Sequence, residues 1–119
     1  MQNKLSMFLI FLLVVLGFNP IGRIYSNEPV SRGEELEFYI NIENRLNENF
    51  KGMNVRATFY DFGEVADSTG FDIEKKSARL TRIFWEVPKN APCGEHVVKI
   101  TASNDKIRDS KHVFLDVDC

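Results

Sequence analysis

The segment from Trp85 to Asp105 constrains the fold of this chain more than any other. Its sequence is W-E-V-P-K-N-A-P-C-G-E-H-V-V-K-I-T-A-S-N-D, in which two runs of alternating apolar and polar residues flank a turn with prolines and a glycine. Alternation with a period of two is typical of a strand with one buried and one solvated face. Pro88 ends the first run because it has no N–H to donate to a ladder. The segment therefore predicts a strand, a turn and a second strand of an all-β protein.

The same period of two recurs along the chain from Ile21 onward, and turn residues separate the runs at intervals of about 8 to 12 positions. Apolar residues at the helical spacing i, i+3, i+4 and i+7 are absent from this part of the sequence. Branched and aromatic side chains, which pack well on a pleated surface, are abundant. The predicted strands are Ile21–Ser26, Glu35–Glu43, Asn54–Tyr60, Phe71–Ile73, Ser77–Val87, a strand from Glu95 to Ala102, and Ser110–Asp118.

Between these strands, turn-forming or charged residues dominate three stretches, which are predicted as connections. Within Ser77–Val87 the apolar residues change parity between Leu80 and Ile83, and a bulge near Thr81 or Arg82 is expected to reconcile the two halves. The three connections are Val30–Glu34, Asn44–Gly52 and the acidic stretch Asp61–Gly70.

Length and charge limit what kind of protein this is. The chain has 119 residues, of which 44% are hydrophobic, and this is enough for one domain with its own core. Its 15 Lys and Arg and 17 Asp and Glu give a formal net charge of −2, with both signs interspersed. Nucleic-acid-binding proteins usually carry a basic patch or stripe, so nucleic acid is not an expected partner. Residues 21–119 are predicted to form a single domain.

An apolar run of 14 residues, Leu5–Phe18, precedes this domain and is broken only by Ser6. It is shorter than the roughly 20 residues that cross a membrane, and its length is typical of the apolar core of a signal peptide. Residues 1–20 are therefore predicted to be a helical signal peptide or a short membrane anchor. Small residues that would allow cleavage end the triplets Val15-Leu16-Gly17 and Ile24-Tyr25-Ser26, so the cleavage point stays open. The protein is expected outside the cell or in the cell envelope, with membrane contact only through this segment if it is retained.

The chain has two cysteines, and in an exported protein two cysteines are candidates for one disulfide. If the last hairpin turns about Lys106, antiparallel pairing places Cys93 opposite Cys119, within the range of Cα separations that a disulfide can close. The alternatives are two unpaired thiols, or a bridge from Cys119 to another chain. We predict the intramolecular pair.

Three stretches of this sequence carry a resemblance to a known family. They are G-E-E-L-E-F-Y-I-N-I-E-N, M-N-V-R-A-T-F-Y and W-E-V-P-x-x-A-P-x-G-x-x-x-V-x-I-x-A-S-N-D. Together they resemble the immunoglobulin-like, CARDB-type β-sandwich domains of archaeal and bacterial surface proteins, over residues 21–118. The expected fold is a seven-stranded immunoglobulin-like antiparallel β-sandwich preceded by an N-terminal apolar leader helix. Two features depart from that family: Cys93 interrupts the usual Pro-Gly pair, and a single domain is expected where relatives often occur in tandem.

The sequence offers little material for catalysis. It contains no G-x-S-x-G, H-E-x-x-H or C-x-x-C motif, no P-loop and no glycine-rich dinucleotide turn. Its two histidines are His96, at an inward strand position and interpreted as a hydrogen-bonded core residue, and His112, interpreted as a surface residue. No catalytic residue, cofactor or enzymatic activity is predicted.

Calcium is the one metal that the acidic turns of this chain suggest, because it takes oxygen ligands. Neither of two acidic clusters has the glycine-centred spacing of an EF-hand loop, so both are interpreted as solvated turns and no metal site is predicted. These clusters are Asp61, Glu64 and Asp67, and Asn104, Asp105 and Asp109.

Three aromatic residues, Tyr39, Tyr60 and Phe84, are predicted to point outward from their strands. Gathered on one sheet they would form a contact surface for a protein or a sugar, whereas scattered over two sheets they would be ordinary exposed residues. The sequence leaves these alternatives open.

The expected function is that of an exported or envelope-anchored module with a structural or protein-binding role, whose partner is a protein of the cell surface or envelope. One alternative is a carbohydrate-binding module, which requires two or more coplanar exposed aromatic rings. Another is a subunit of an extracellular assembly built by edge-strand addition. The assembly alternative depends on whether Ile21–Ser26 packs in its own domain or projects away from it.

Overall fold

The computed structural model describes residues 19–119 as two β-sheets packed around one core. A short 3-10 turn, Tyr60–Phe62, follows the fourth strand. The strands are β1 Ile21–Ser26, β2 Val30–Ser31, β3 Glu35–Glu43, β4 Phe50–Phe59, β5 Glu64–Asp67, β6 Phe71–Ile73, β7 Ala78–Glu86, β8 Gly94–Ser103 and β9 Arg108–Asp118.

One sheet, here the three-stranded sheet, has the order β1-β3-β7. The other, the six-stranded sheet, has the order β2-β9-β8-β4-β5, with β6 also paired to β4. Since β3 and β4 lie in different sheets, the chain crosses between the layers after Glu43, and again before and after β7. The chain therefore passes repeatedly from one sheet to the other, as in a β-sandwich.

The core lies between the two sheets and is filled by the alternating apolar residues of the strands. The four inward residues of β3 are at most 1% exposed, and those of β4 from Val55 to Phe59 are fully buried. Phe59 stacks on Trp85 with ring centroids 3.8 Å apart and an interplanar angle of 13°. The inward faces that the alternation predicts for β3, β4 and β8 are confirmed.

The strand count and one pairing direction differ from the sequence-based expectation. All seven predicted strands are present, but within residues 19–119 the fold has nine, not seven. Val30–Ser31, expected in a turn, pairs parallel with the end of β9, so the sandwich is not wholly antiparallel. Glu64–Asp67, expected in a connection, pairs with β4 and is supported by a bidentate ion pair between Asp67 and Arg56. Strands of two and four residues are too short to show alternation in a sequence.

The bulge expected in the seventh strand is wrong. β3 and β7 pair without interruption from Glu35 opposite Glu86 to Glu43 opposite Ala78. Leu80 is instead 57% exposed on the outer face, at the position opposite Asn41. Unbroken alternation gives Leu80 the same outward parity as Arg82 and Phe84, so no bulge is needed and Leu80 is an exposed apolar residue.

The register of the last hairpin is offset by one residue from the register expected for a turn about Lys106. Asn104 Oδ1 accepts hydrogen bonds from the backbone N–H groups of Lys106 and Ile107, at 2.8 and 2.9 Å. This four-residue turn pairs Ser103 with Arg108 and ends the ladder at Gly94 opposite Val117. Cys93 and Cys119 follow just beyond that last pair and form the predicted disulfide, with a Cα–Cα distance of 5.8 Å. A disulfide tolerates this offset because it needs proximity and not direct opposition.

The predicted leader helix and the first 18 residues of the predicted 1–20 segment lie outside the described residues. Of that segment, Pro20 is buried, and its carbonyl accepts a 2.8 Å hydrogen bond from the Glu43 N–H. Within residues 19–119, none of the structure forms a helix with the length and apolar character needed to span a membrane.

Candidate binding surface

The outer face of the three-stranded sheet brings aromatic and basic side chains together. The outward residue Tyr39 of β3 lies between Tyr25 of β1 and Arg82 of β7 in a direct cross-strand row. In the next row, Phe84 of β7 lies opposite Glu37 of β3. Leu80, opposite Asn41, lies in the row on the other side of Tyr39. We call these five residues the tyrosine face: Tyr25, Tyr39, Leu80, Arg82 and Phe84.

The tyrosine face is open to solvent although much of its surface is apolar. Tyr25 is 54% exposed, Leu80 57% and Phe84 47%, while Tyr39 is half-buried between its neighbours. Cross-strand neighbours on one face have Cβ atoms about 4.5 to 5.5 Å apart, so these side chains form one contiguous patch. A contiguous apolar patch, unlike a single exposed residue, often marks an interaction site.

Polar contacts hold the side chains of this face. The hydroxyl of Tyr39 donates a hydrogen bond to Glu37, which is the main reason that the pKa of Tyr39 is raised. Arg23 donates a long hydrogen bond of 3.4 Å to the Tyr25 hydroxyl. The guanidinium of Arg82 lies over the Phe84 ring, 5.9 Å from its centroid, within the range of a cation–π contact. The rings are therefore presented on a backbone ladder with their conformations restrained.

The three aromatic residues singled out in the sequence do not form one surface. Tyr39 and Phe84 lie on the tyrosine face, whereas Tyr60 lies outside the other sheet, where its ring stacks on His112 at 6.4 Å. Tyr25 was not singled out, although it is directly opposite Tyr39. The pairing of β1 with β3 shifts register between Ile21 and Ile24, so simple alternation does not assign Tyr25 to a face. The signal that could have found Tyr25 is its position two residues after the charged Arg23 in the same predicted strand, since residues two apart in a strand point to the same face.

His96 is buried at the end of the sandwich that carries the disulfide. It is 7% exposed, its Nδ1 lies 2.6 Å from Asp61 Oδ2, and its Nε2 lies 2.7 Å from the Pro92 carbonyl oxygen. Both neighbours accept hydrogen bonds, so both contacts can form only if both ring nitrogens carry a proton. Burial lowers the pKa of His96, but the bonds to Asp61 and to the Pro92 carbonyl outweigh it, and the net pKa is raised. His96 is thus a hydrogen-bonded core residue, tying the 3-10 turn to the start of β8.

This geometry predicts that stability depends on pH through His96. Since the folded pKa of His96 is raised above its ordinary value of 6.5, the ion pair stabilises the fold fully below about pH 6.5, and that contribution disappears as pH rises through the folded pKa. Asp61→Asn is expected to cost on the order of 1 kcal/mol near pH 5.5, because solvent screens a carboxylate that is 55% exposed. The difference from the wild type should shrink by pH 9 when urea unfolding is compared at both pH values. An Asp61→Asn cost that is constant across this range would contradict the assignment.

Three of the acidic residues considered for calcium have other partners. Asp61 pairs with His96, Asp67 pairs with Arg56, and Asp109 Oδ2 accepts the Ile21 N–H at 3.2 Å. In the part of the chain from residue 19 to 119, the structure gathers no group of three or more His, Cys, Asp or Glu side chains suited to a metal ion.

A groove of about 740 Å³ runs alongside β1, where Tyr25, Glu43, Arg45 and Lys111 line it. It is wide open to solvent. Neither histidine of the chain lines it, and neither cysteine does. Its lining therefore lacks a pairing of a nucleophile with a histidine base of the kind that covalent catalysis uses.

Comparison with known proteins supports the fold. No protein-family model matches the sequence, and no curated protein matches it significantly. Among solved structures, the CARDB domain of a Pyrococcus furiosus protein, in complex with di-metal ions, is similar over 80% of this chain and 84% of that one, with a TM-score of 0.63 and 12% identity. The resemblance to CARDB domains is thereby confirmed at the level of the fold.

Two other similar structures are enzymes of much greater length. The alkylpurine DNA glycosylase AlkC of Pseudomonas fluorescens, bound to DNA containing an abasic site analogue, matches 90% of this chain at a TM-score of 0.63 and 14% identity. A family 123 glycoside hydrolase from Clostridium perfringens matches 74% of it at 0.57 and 13%. The present chain spans only 32% of the glycosylase and 22% of the hydrolase. At such identities these likenesses establish a shared fold and leave activity aside.

Proposed function

We propose that this protein is an exported or envelope-anchored β-sandwich module that binds a protein partner through the tyrosine face. The observation that carries the proposal is the contiguous, solvent-exposed group of Tyr25, Tyr39 and Phe84 beside Arg82. Tyrosine and arginine are enriched at protein–protein interfaces and among the residues that contribute most of the binding energy. A rigid sheet presents them with little entropy left to lose on binding.

A protein partner is favoured over a carbohydrate by the details of this face. Sugar-binding platforms need rings whose flat faces are free. Here Arg82 lies over the Phe84 ring, and Tyr39 is half-buried with its hydroxyl engaged by Glu37. Mixed charge and aromatic surface of this kind suits a protein surface with its own acidic and apolar groups.

Export and a non-catalytic role belong to the same proposal. The disulfide between Cys93 and Cys119 is of a kind that persists in oxidising compartments, and the apolar run Leu5–Phe18 would direct the chain there. The same fold occurs as a separate CARDB domain in a Pyrococcus furiosus protein, and this chain covers 84% of that domain structure. Strand donation by Ile21–Ser26 receives no support, because β1 pairs with β3 of its own chain and Ile21 is 2% exposed.

A test of this proposal places a photo-crosslinking side chain at position 84 of the exported protein in living cells. We expect an adduct with a second, different envelope protein, identified by mass spectrometry. Position 65, where Val65 is 52% exposed outside the other sheet, is the matched control and should give no such adduct. An absent adduct at position 84, or the same adduct at both positions, contradicts the proposal.

Once that partner is purified, Tyr25→Ser is expected to weaken its binding by about 30-fold in Kd, the effect of losing an exposed interface tyrosine worth about 2 kcal/mol. Val65→Ser should leave Kd unchanged within about twofold, a difference that corresponds to a surface substitution outside the contact. Isothermal titration calorimetry measures both. If Tyr25→Ser binds the partner as tightly as Val65→Ser, the tyrosine face is not the contact surface.

A further inference from the structure

The outer face of the six-stranded sheet carries an exposed apolar row of its own. Phe114 of β9 lies directly opposite Val97 of β8, and they are 61% and 38% exposed. Tyr60, which is 51% exposed, continues the row. Phe59 pairs with Val98, so the next residue, Tyr60, comes beside Val97. Its ring reaches across the sheet and stacks on His112 of β9, 6.4 Å between centroids, so it lies on this face. We call Phe114, Val97 and Tyr60 the apolar row.

Two acidic side chains flank the apolar row on one side, and a lysine and a histidine flank it on the other. One step toward the start of β8, Glu95 lies directly opposite Asp116. One step in the other direction, Lys99 lies directly opposite His112. Like charges at directly opposed positions destabilise a sheet, and within residues 19–119 the recorded ion pairs involve none of these four side chains. The isolated domain thus gains nothing from this pattern, which suggests that another surface neutralises it.

We infer that this face packs against the same face of a second copy of the chain, related by a two-fold axis that runs along the apolar row. Rotation about that axis places the apolar row of one copy against the apolar row of the other. It also places the Glu95–Asp116 pair of each copy against the Lys99–His112 pair of the other. Glu95 then faces Lys99 of the second copy, and Asp116 faces His112 of the second copy. A two-fold axis parallel to the strands would instead place Glu95 and Asp116 of one copy against the same acidic pair of the other copy. The charge pattern therefore selects the first arrangement.

This arrangement satisfies the rules of sheet packing. Two sheets packed face to face lie about 10 Å apart, and their strand directions agree within about 30° because each sheet is twisted. The side chains of the apolar row interdigitate at the centre, and each interface element occurs twice, as in any isologous dimer. A stable interface buries about 800 Å² from each partner. The apolar row contributes only three side chains from each copy, so we expect a weak interface that dissociates in the micromolar range.

Sedimentation equilibrium of the exported protein, from roughly 1 to 500 µM, tests the dimer directly over that expected range. The wild type should pass from monomer to dimer, and Phe114→Ser should remain monomeric. Phe84→Ser, which changes the opposite face of the sandwich, should dimerise like the wild type. Thermal unfolding of each variant checks that it is folded. A wild type that stays monomeric, or a dimer that Phe114→Ser leaves intact, overturns the inference.

Charge exchange tests the orientation independently of the apolar row. Glu95→Lys and Lys99→Glu alone each set like charges against each other and should weaken the dimer at least about tenfold. The double variant restores opposite charges across the axis and should dimerise again. Mixing the two single variants should give a heterodimer, in which both contacts are attractive. Failure of both rescues overturns the proposed axis.

The test of the dimer can fail or succeed independently of the crosslinking test of the proposed function. Phe114→Ser should leave the adduct at position 84 unchanged, since that position lies on the opposite face. If Phe114→Ser abolishes both the dimer and the adduct, the dimer stands and the partner requires it.

Discussion

Replacing both Cys93 and Cys119 with serine is expected to lower the free energy of unfolding by about 3.5 kcal/mol. The two residues are 26 positions apart, and the entropy that such a cross-link removes from the unfolded chain has about this value. The loss is a large fraction of the roughly 5 to 15 kcal/mol that a domain typically has. Urea unfolding at equilibrium measures it, with the midpoint and the slope reported separately.

The effect should concentrate where the disulfide lies. The bridge fastens the end of β9, and β9 holds the two-residue strand β2 through the pairs Val30–Val117 and Ser31–Asp118. Hydrogen exchange is therefore expected to rise first at Val30, Val117 and their neighbours. Reduced wild-type protein is the control, and it should unfold at the same urea concentration as the double serine variant. A loss below about 1 kcal/mol would mean that the bridge does little to restrict the unfolded chain.

Asn44→Ala is expected to lower the free energy of unfolding by about 2 to 4 kcal/mol. Asn44 is 1% exposed, and its amide donates to the carbonyl oxygens of Glu48, Ile73 and Glu74 at 2.7, 3.3 and 3.2 Å. Its Oδ1 accepts the Leu46 N–H at 3.1 Å. Alanine leaves these backbone groups without that partner, and each buried polar group left unpaired costs about 1 to 3 kcal/mol. The sum is reduced because some of these groups can reach water.

Asn41→Ala is the matched control for this prediction. Asn41 lies on the outer face of β3, three residues before Asn44, where its amide makes one long contact of 3.3 Å to Glu43. Its replacement should change stability by no more than about 0.5 kcal/mol. Asn44→Asp keeps the size of the side chain but removes its N–H donors: a carboxylate accepts the Leu46 N–H but cannot donate to the three carbonyls. It should destabilise at least as much as Asn44→Ala. Equal stabilities of the variants at positions 41 and 44 would show that the amide network contributes little.

The strands were predictable because burial on one face leaves a period of two in the sequence. Glu35–Glu43 has the predicted bounds and the predicted buried face, since one side of β3 packs on the core and the other meets solvent. The inward position of His96 followed from the same alternation. Its partner Asp61 did not, because the 3-10 turn brings that carboxylate to the histidine across 35 positions of sequence.

The surfaces were less predictable than the strands. Outward positions could be named, as with Tyr39 and Phe84, but the sheet to which each strand belongs is a property of strand order. That order separates Tyr60 from these two and brings Tyr25 to Tyr39. Likewise, the opposed pairs Glu95–Asp116 and Lys99–His112 beside the apolar row exist only through the register of β8 and β9, which the four-residue turn after Ser103 sets.

The sequence by itself determined the all-β architecture, the buried face of the main strands and the pairing of two cysteines, because each depends on local periodicity or on the number of candidates. Tertiary structure alone decided which faces share a sheet, the parallel pairing of Val30–Ser31 with β9 and the network around Asn44. These depend on contacts between residues far apart in the chain. Their energies come from the register and order of strands, and no short stretch of sequence encodes either one.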